Sequence, residues 1–262
     1  MRSFAFTEAR LHVSSLARAE AFYAGILGLH ANRPQPEIMT LRARLGADPL
    51  LTLIEKPDAV PKPVNVPGLF HVALLLPNRA ALARVLRRLA LARYPLEGMG
   101  DHGVSEALYL SDPDSIGLEL YADRPRSVWP RPPGNTQRVA MGTTAVDVDN
   151  LLAAAPDGEA HGLPPGTIIG HVHLRVADLA ATRAFYTEHL GMDVMQDDFP
   201  GALFLGADGY HHHFGANTWG GPARPATTPV AGLLSVHARI ADLAAPRSLT
   251  DPDGIQLELI PA

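Results

Sequence analysis

Cysteine is absent from all 262 residues, which removes disulfides, thiolate metal sites and cysteine nucleophiles together and fits a reducing compartment. Positive charge is not in excess. The 22 Lys and Arg face 27 Asp and Glu, a formal net charge of -5, so the chain lacks the basic footprint that nucleic acid or an anionic membrane would require. Long apolar runs are missing as well. The richest, Leu82–Leu91, is broken by Arg84, Arg87 and Arg88, and nothing reads as a bilayer span. The opening MRSFAFTEAR carries no apolar signal core, because Glu8 and Arg10 arrive too early, and a cytoplasmic setting is the expectation.

What remains is a chain 47% hydrophobic and 19% charged, long enough for two ordinary domains with sizeable cores. Its most informative feature is an internal repeat. LHVSSLARAEAFYAGILGL (Leu11–Leu29) is matched far downstream by LRVADLAATRAFYTEHLGM (Leu174–Met192). Leu16, Phe22-Tyr23 and Leu27-Gly28 recur in register as Leu179, Phe185-Tyr186 and Leu190-Gly191. Each copy reads as a strand, a turn (SSL or ADL) and an amphipathic helix, with Gly28 and Gly191 placed for left-handed caps. A second motif pair follows. GLFHVALLLP (Gly68–Pro77) leads into a helix over Arg79–Leu91 and then ALYLSDPDSIGLELY (Ala107–Tyr121), a strand, DPD turn and strand. The chain's end repeats the outer parts as GLLSVHARIADL (Gly232–Leu243) and SLTDPDGIQLELI (Ser248–Ile260), but this last copy is about 25 residues shorter, enough to lose most of a helix.

The spacing therefore gives four modules at about 5–60, 66–122, 167–222 and 229–262. The expected fold class is α+β: four βαβββ modules forming two half-open mixed β-barrels, the fourth module shortened. Segments 1–122 and 167–262 are expected as domains holding modules 1 and 2 and modules 3 and 4. Residues 123–166 join them as a linker with one short helical stretch.

The set GLFHVALLLP, DHGVSEALYLSDPD, LELYADRPR, GTIIGHVHLRVADL and GYHHHFGANTW resembles the vicinal oxygen chelate superfamily. That superfamily includes glyoxalase I, fosfomycin- and bleomycin-resistance proteins and extradiol dioxygenases. The likeness is strongest to two-domain bacterial catechol 2,3-dioxygenases, well carried by modules 2 and 3 and poorly by module 4. It implies an enzyme that opens a catechol ring with dioxygen at an Fe(II) ion, Mn(II) being possible, held by two imidazoles and one carboxylate.

In that superfamily the ligands lie on the first strand of each paired module and near the end of its last strand, positions that here are His71, Glu119 and His171. Other pairings stay open. Modules 1 and 2 would offer Glu8, His71 and Glu119; modules 3 and 4 would offer His171, Ser235 and Glu258, with His237 on the same strand face. Pairing 2 with 3, and 1 with 4, completes the two-His, one-carboxylate set and is the arrangement expected. Alternation supports Glu119, since Leu118 and Leu120 flank it and point the other way.

His173 shares a strand face with His171 and is read as support. By the same resemblance His212, within His211–His213 of a strand in module 3, matches the active-site acid/base, and His102 and Tyr109 match groups that bond the substrate's oxygens. The expected partners are a small aromatic diol and dioxygen, with no nucleic acid and no membrane. The shortened module 4 suggests a face that a second subunit covers, hence a homodimer. Two alternatives stay open: a glyoxalase-like metal-dependent lyase or isomerase, for which module 1 offers Thr52 with Glu55 beyond it, and a metal-free aromatic- or drug-binding protein.

Overall fold

Residues 3–155 and 162–262 are described by the structure, a computed structural model. Module 1 comprises β1 (Phe4–Val13), α1 (Leu16–Glu20), β2 (His30–Gln35), β3 (Ile38–Arg42) and β4 (Leu51–Glu55). Module 2 comprises β5 (Gly68–Leu75), α2 (Arg79–Leu91), β6 (Gly98–Asp101), β7 (Ser105–Ser111) and β8 (Gly117–Asp123). The short helix α3 (Val148–Ala153) precedes module 3, which is β9 (Ile168–Arg175), α4 (Leu179–Leu190), β10 (Asp193–Gln196), β11 (Ala202–Gly206) and β12 (Phe214–Asn217). Module 4 keeps β13 (Gly232–Ile240), β14 (Arg247–Thr250) and β15 (Gln256–Pro261). Its deficit exceeds a helix: between β13 and β14 both the helix and one strand are gone.

Local chemistry accounts for the helices. Ser15, Asn78 and Asp178 each adopt extended backbone and accept a first-turn N–H with the side chain, so each caps its helix. Gly28 and Gly191 end their helices with φ of +75° and +68°, where a Cβ would be strained. The first helix is less regular than the repeat suggests: after Glu20 it widens over Ala21–Ile26, Leu27 N–H bonding Phe22 O at 2.9 Å.

Two mixed sheets result. One runs β14-β15-β13-β1-β4-β3-β2 and joins modules 4 and 1; the other runs β10-β11-β12-β9-β5-β8-β7-β6 and joins modules 3 and 2. Segments 1–122 and 167–262 thus each give one module to each sheet. The joining pairs, β1 with β13 and β5 with β9, are antiparallel. Bonds between helix and turn run across this division. Tyr23 of module 1 donates to Asp112 Oδ2 in the DPD turn of module 2 at 3.1 Å, and Tyr186 of module 3 donates to Asp251 Oδ2 in that of module 4, also at 3.1 Å. The recurrent FY and DPD motifs are therefore halves of one buried contact.

In the second sheet Val72, Leu74, Leu118, Leu120, Val172 and Leu174 all join the main apolar core. Alternation then turns His71, Ala73, Glu119, Tyr121, His171 and His173 to the opposite, concave face. Residues near both ends of this sheet, Tyr109 of β7 and Phe204 of β11, line one cavity, so the sheet curls round it.

Candidate metal centre and its cavity

The register of three central strands assembles the site. Ala73 of β5 stands opposite His171 of β9 and Glu119 of β8, and Glu119 stands opposite Tyr109 of β7. Because Ala73 ends at a methyl, the side chains on either side can meet over it. His71, two residues back on the same face, completes the group. His71 Nε2 and His171 Nε2 each lie 3.0 Å from Glu119 Oε2 and 3.3 Å from one another. Among the described residues this is the group of three whose donor atoms could converge on an ion.

The residues fit a divalent cation. Neighbouring ligands about 2.1 Å from an octahedral ion sit about 3.0 Å apart, close to the triangle found. All three side chains are buried, and Glu119's ion-pair partners are the two imidazoles. Burial works against the carboxylate charge, yet His171 and His71 beside it hold the Glu119 pKa well below the usual range. Burial lowers the pKa of His171, despite Glu119, towards the neutral form a metal requires. The other nitrogen of His171, Nδ1, is buried without a hydrogen-bond partner. The ring is instead held between Tyr121 at 4.9 Å and His212 at 4.1 Å between centroids.

His211–His213 do not lie in a strand. Gly209, at φ +64°, and the Tyr210 N–H···O Ala207 bond turn the chain, and β12 begins only at Phe214. The expected alternation of the three rings therefore does not apply, and each finds its own partner. His213 Nδ1 accepts from Ala207 N–H at 3.1 Å, His211 Nε2 donates to Asp123 Oδ1 at 2.9 Å, and His212 stacks on His171. With its Nε2 proton committed to a carboxylate, His211 turns Nδ1 to His212 Nδ1, 2.8 Å away. Nε2 of His212 is the ring nitrogen left over from that contact, in a ring that lines the cavity. Burial and the neighbouring rings of His171 and His211 push the His212 pKa well below its ordinary value, so the ring is neutral.

His102 and Tyr109 come together as a pair. His102 Nδ1 donates to Gly142 O at 2.9 Å, so Nε2 accepts from the Tyr109 hydroxyl at 2.6 Å. Burial and the adjacent Glu119 raise the Tyr109 pKa well above 10. His173 accepts from Asn217 Nδ2 at 3.0 Å and stands outside the triangle. Glu8 and Thr52 meet each other in the other sheet, Ser235 bonds His237 there, and Glu258 accepts from Ser248. None of these reaches the buried triad.

The cavity above the triad holds about 790 Å³, room for a substituted aromatic ring. Phe70, Phe199, Phe204 and Trp219 supply its apolar wall. Asp123, His211 and Tyr121 were not among the sequence candidates. Tyr121 and Asp123 follow Glu119 at steps of two along β8, and that alternation is the signal that could have found them.

Comparison with known proteins bears on the family and the fold. The family model of the Glyoxalase/Bleomycin resistance protein/Dioxygenase superfamily matches residues 5–120 and 168–245. Catechol-2,3-dioxygenase of Bacillus subtilis (strain 168) is 45% identical over 248 residues, spanning 91% of this chain and 85% of that protein. Glyoxalase I from Zea mays superposes with a TM-score of 0.56 at 16% identity, over 99% of this chain and 93% of that one. The cppA protein from Streptococcus pneumoniae TIGR4 gives 0.57 at 11% identity, over 97% of both chains. At these identities the two structures speak for the fold alone.

Proposed function

Because the chain belongs to the glyoxalase/bleomycin resistance/dioxygenase superfamily, we propose that it is an extradiol dioxygenase that cleaves a catechol-type diol at an ion held by His71, Glu119 and His171. The observation that carries the reading is the buried triangle of two imidazoles and one carboxylate beneath a cavity walled by aromatic rings. When bound, Fe(II), or Mn(II) on the same donors, would chelate the two diol oxygens and mediate electron transfer to dioxygen.

The chain's own groups have separable tasks. The aromatic wall sandwiches the ring and excludes water. Tyr109, whose hydroxyl proton goes to His102, would accept a hydrogen bond from a substrate hydroxyl. His212 takes the hydroxyl proton at Nε2, while the Asp123–His211 pair holds the other side of its ring through Nδ1. A lyase or isomerase site of the glyoxalase kind would call on a second carboxylate, and Glu55 is occupied elsewhere, accepting from Leu16 N–H at 2.8 Å. A cytoplasmic setting and a homodimer belong to the same proposal. The dimer is supported by Leu234 and Ile260 of module 4, which are 37% and 38% exposed.

The test is direct. Protein purified anaerobically and loaded with iron should consume oxygen with catechol and yield the yellow ring-opened aldehyde. His71→Ala and Glu119→Ala should each lose bound metal and at least about 100-fold in turnover, since removing a direct ligand should exceed the cost known for its supporting partners. Retention of both iron and full cleavage by either variant would falsify the assignment.

A further inference from the structure

The cavity contains a feature that diol chemistry does not use. Arg175 ends β9, on the same strand face as His171 and His173 and two residues beyond the latter. It is 2% exposed, and its guanidinium donates to backbone carbonyls: Val176 O at 2.8 Å, Asn217 O at 3.2 Å, Val64 O at 3.3 Å and Gly221 O. Asp253 feels the Arg175 charge, but its two oxygens accept from Ala177 N–H, each at 3.2 Å.

Beside Arg175 stands a second cation. Lys62 is half-buried, lines the same cavity and donates one hydrogen bond, to Val66 O at 2.9 Å. An ammonium has three donors, so two remain. Its position is fixed from below, since Pro61 and Pro63 flank it and stiffen the backbone that carries the long side chain.

Two like charges at the wall of a partly dry cavity are costly. Burial and Arg175 together bring the Lys62 pKa down to about 8, which keeps the amine mostly protonated at neutral pH. Among the described residues no carboxylate enters that balance. An anion in the cavity would relieve both cations.

Resting on the ring-cleavage reading above, we propose that Lys62, with the field of Arg175 behind it, forms a subsite for an anionic substituent, so that the substrates are catechols carrying a carboxylate on a short alkyl chain. The spacing agrees. Lys62 runs over Gly68, where an ideal Cβ would lie 3.4 Å from its Cδ. Gly68 precedes His71 by three strand residues, or roughly 10 Å. A carboxymethyl or carboxyethyl group opposite the diol places its oxygens roughly 8 Å from the nearer hydroxyl, by summed bond lengths. Between the two ends, the rings of Phe70, His173 and Trp219 lie 5.1 to 5.7 Å apart and form the wall along which the substrate would lie.

Calorimetric titration of the metal-loaded protein under nitrogen tests this, with 3-(3,4-dihydroxyphenyl)propanoate and its primary amide as probes. The acid should bind at least tenfold more tightly than the amide, and in Lys62→Met the two should bind equally. Equal binding to the wild-type protein, or a preference that survives in Lys62→Met, overturns the subsite, as does failure of both probes to bind. Oxygen uptake with unsubstituted catechol reports separately on ring cleavage. Cleavage with no acid preference removes the subsite alone, whereas acid preference without cleavage removes the reaction and leaves the subsite.

Discussion

A carboxylate buried between two imidazoles keeps its charge at least cost when a cation shares the space, and among the described residues Glu119 has no lysine or arginine as an ion-pair partner. Residues that hold an ion are distinct from residues that move a proton beside it. His212 belongs to the second kind, because Nδ1 is spent on His211 and the ring stacks on His171 instead of joining the triangle. Replacing His212 with Phe keeps a ring in that place and removes the basic nitrogen. We expect His212→Phe to retain wild-type iron content while kcat falls by about 10²- to 10⁴-fold, as for loss of a general base. Iron analysis together with steady-state oxygen uptake would show it, and loss of iron would instead make His212 a ligand. At this scale the sequence was readable where chemistry-bearing residues occupy repeated strand positions, as His71 and His171 do at the head of their modules. It was not readable where a bend makes the contact. His211 finds Asp123 across 88 positions, and Lys62 finds the cavity from a proline-rich connection; no periodicity encodes either.

Among the elements, the DPD turns each bury a carboxyl whose pKa burial raises. Asp112 Oδ1 accepts from the N–H groups of Asp114 and Ile116, and Oδ2 accepts from Tyr23, yet burial dominates and raises the carboxyl to about 6. The unfolded value lies at 3.8, so between 3.8 and about 6 the folded state holds a proton that the unfolded state has released. Stability contributed by this group is thus greatest at low pH and declines as pH rises through that window. Asp251, in the matching turn of module 4, is shifted in the same direction. Asp112→Asn cannot ionise and should flatten the decline. Urea unfolding of both proteins from pH 4 to pH 7 would reveal it as a smaller loss of stability in the variant, and parallel curves would show that the turn carries no such charge. The sequence showed FY and DPD as recurring motifs and placed strand, turn and strand around DPD. That the two motifs bond each other was hidden, because a repeat reveals equivalent positions and not which equivalent positions touch.

For the molecule as a whole, the decisive property is which module faces which. Alternation tells which side chains share a strand face, but modules of similar pattern can pair as neighbours or across the chain. The β5–β9 pairing brings His71 and Glu119 from one half of the chain to His171 from the other, while β1 with β13 joins modules 1 and 4 in the first sheet. The shortened module 4 is consistent with this division of labour, since the sheet it completes carries no ligand of the triad. A cut in the connection should therefore divide the site without dividing its strands. Gly134, exposed and at φ +75°, lies between the last strand of module 2 and α3 and offers a place to open the chain. Halves 1–134 and 135–262, each purified alone, should bind iron weakly and leave catechol intact, because each lacks part of the triangle and exposes the joining edges of both sheets. Coexpressed, they should associate through β5–β9 and β1–β13, recover stoichiometric iron and regain oxygen uptake. If one half alone bound iron tightly and cleaved catechol, the ligands would have to come from within that half, and the cross-chain site would be wrong.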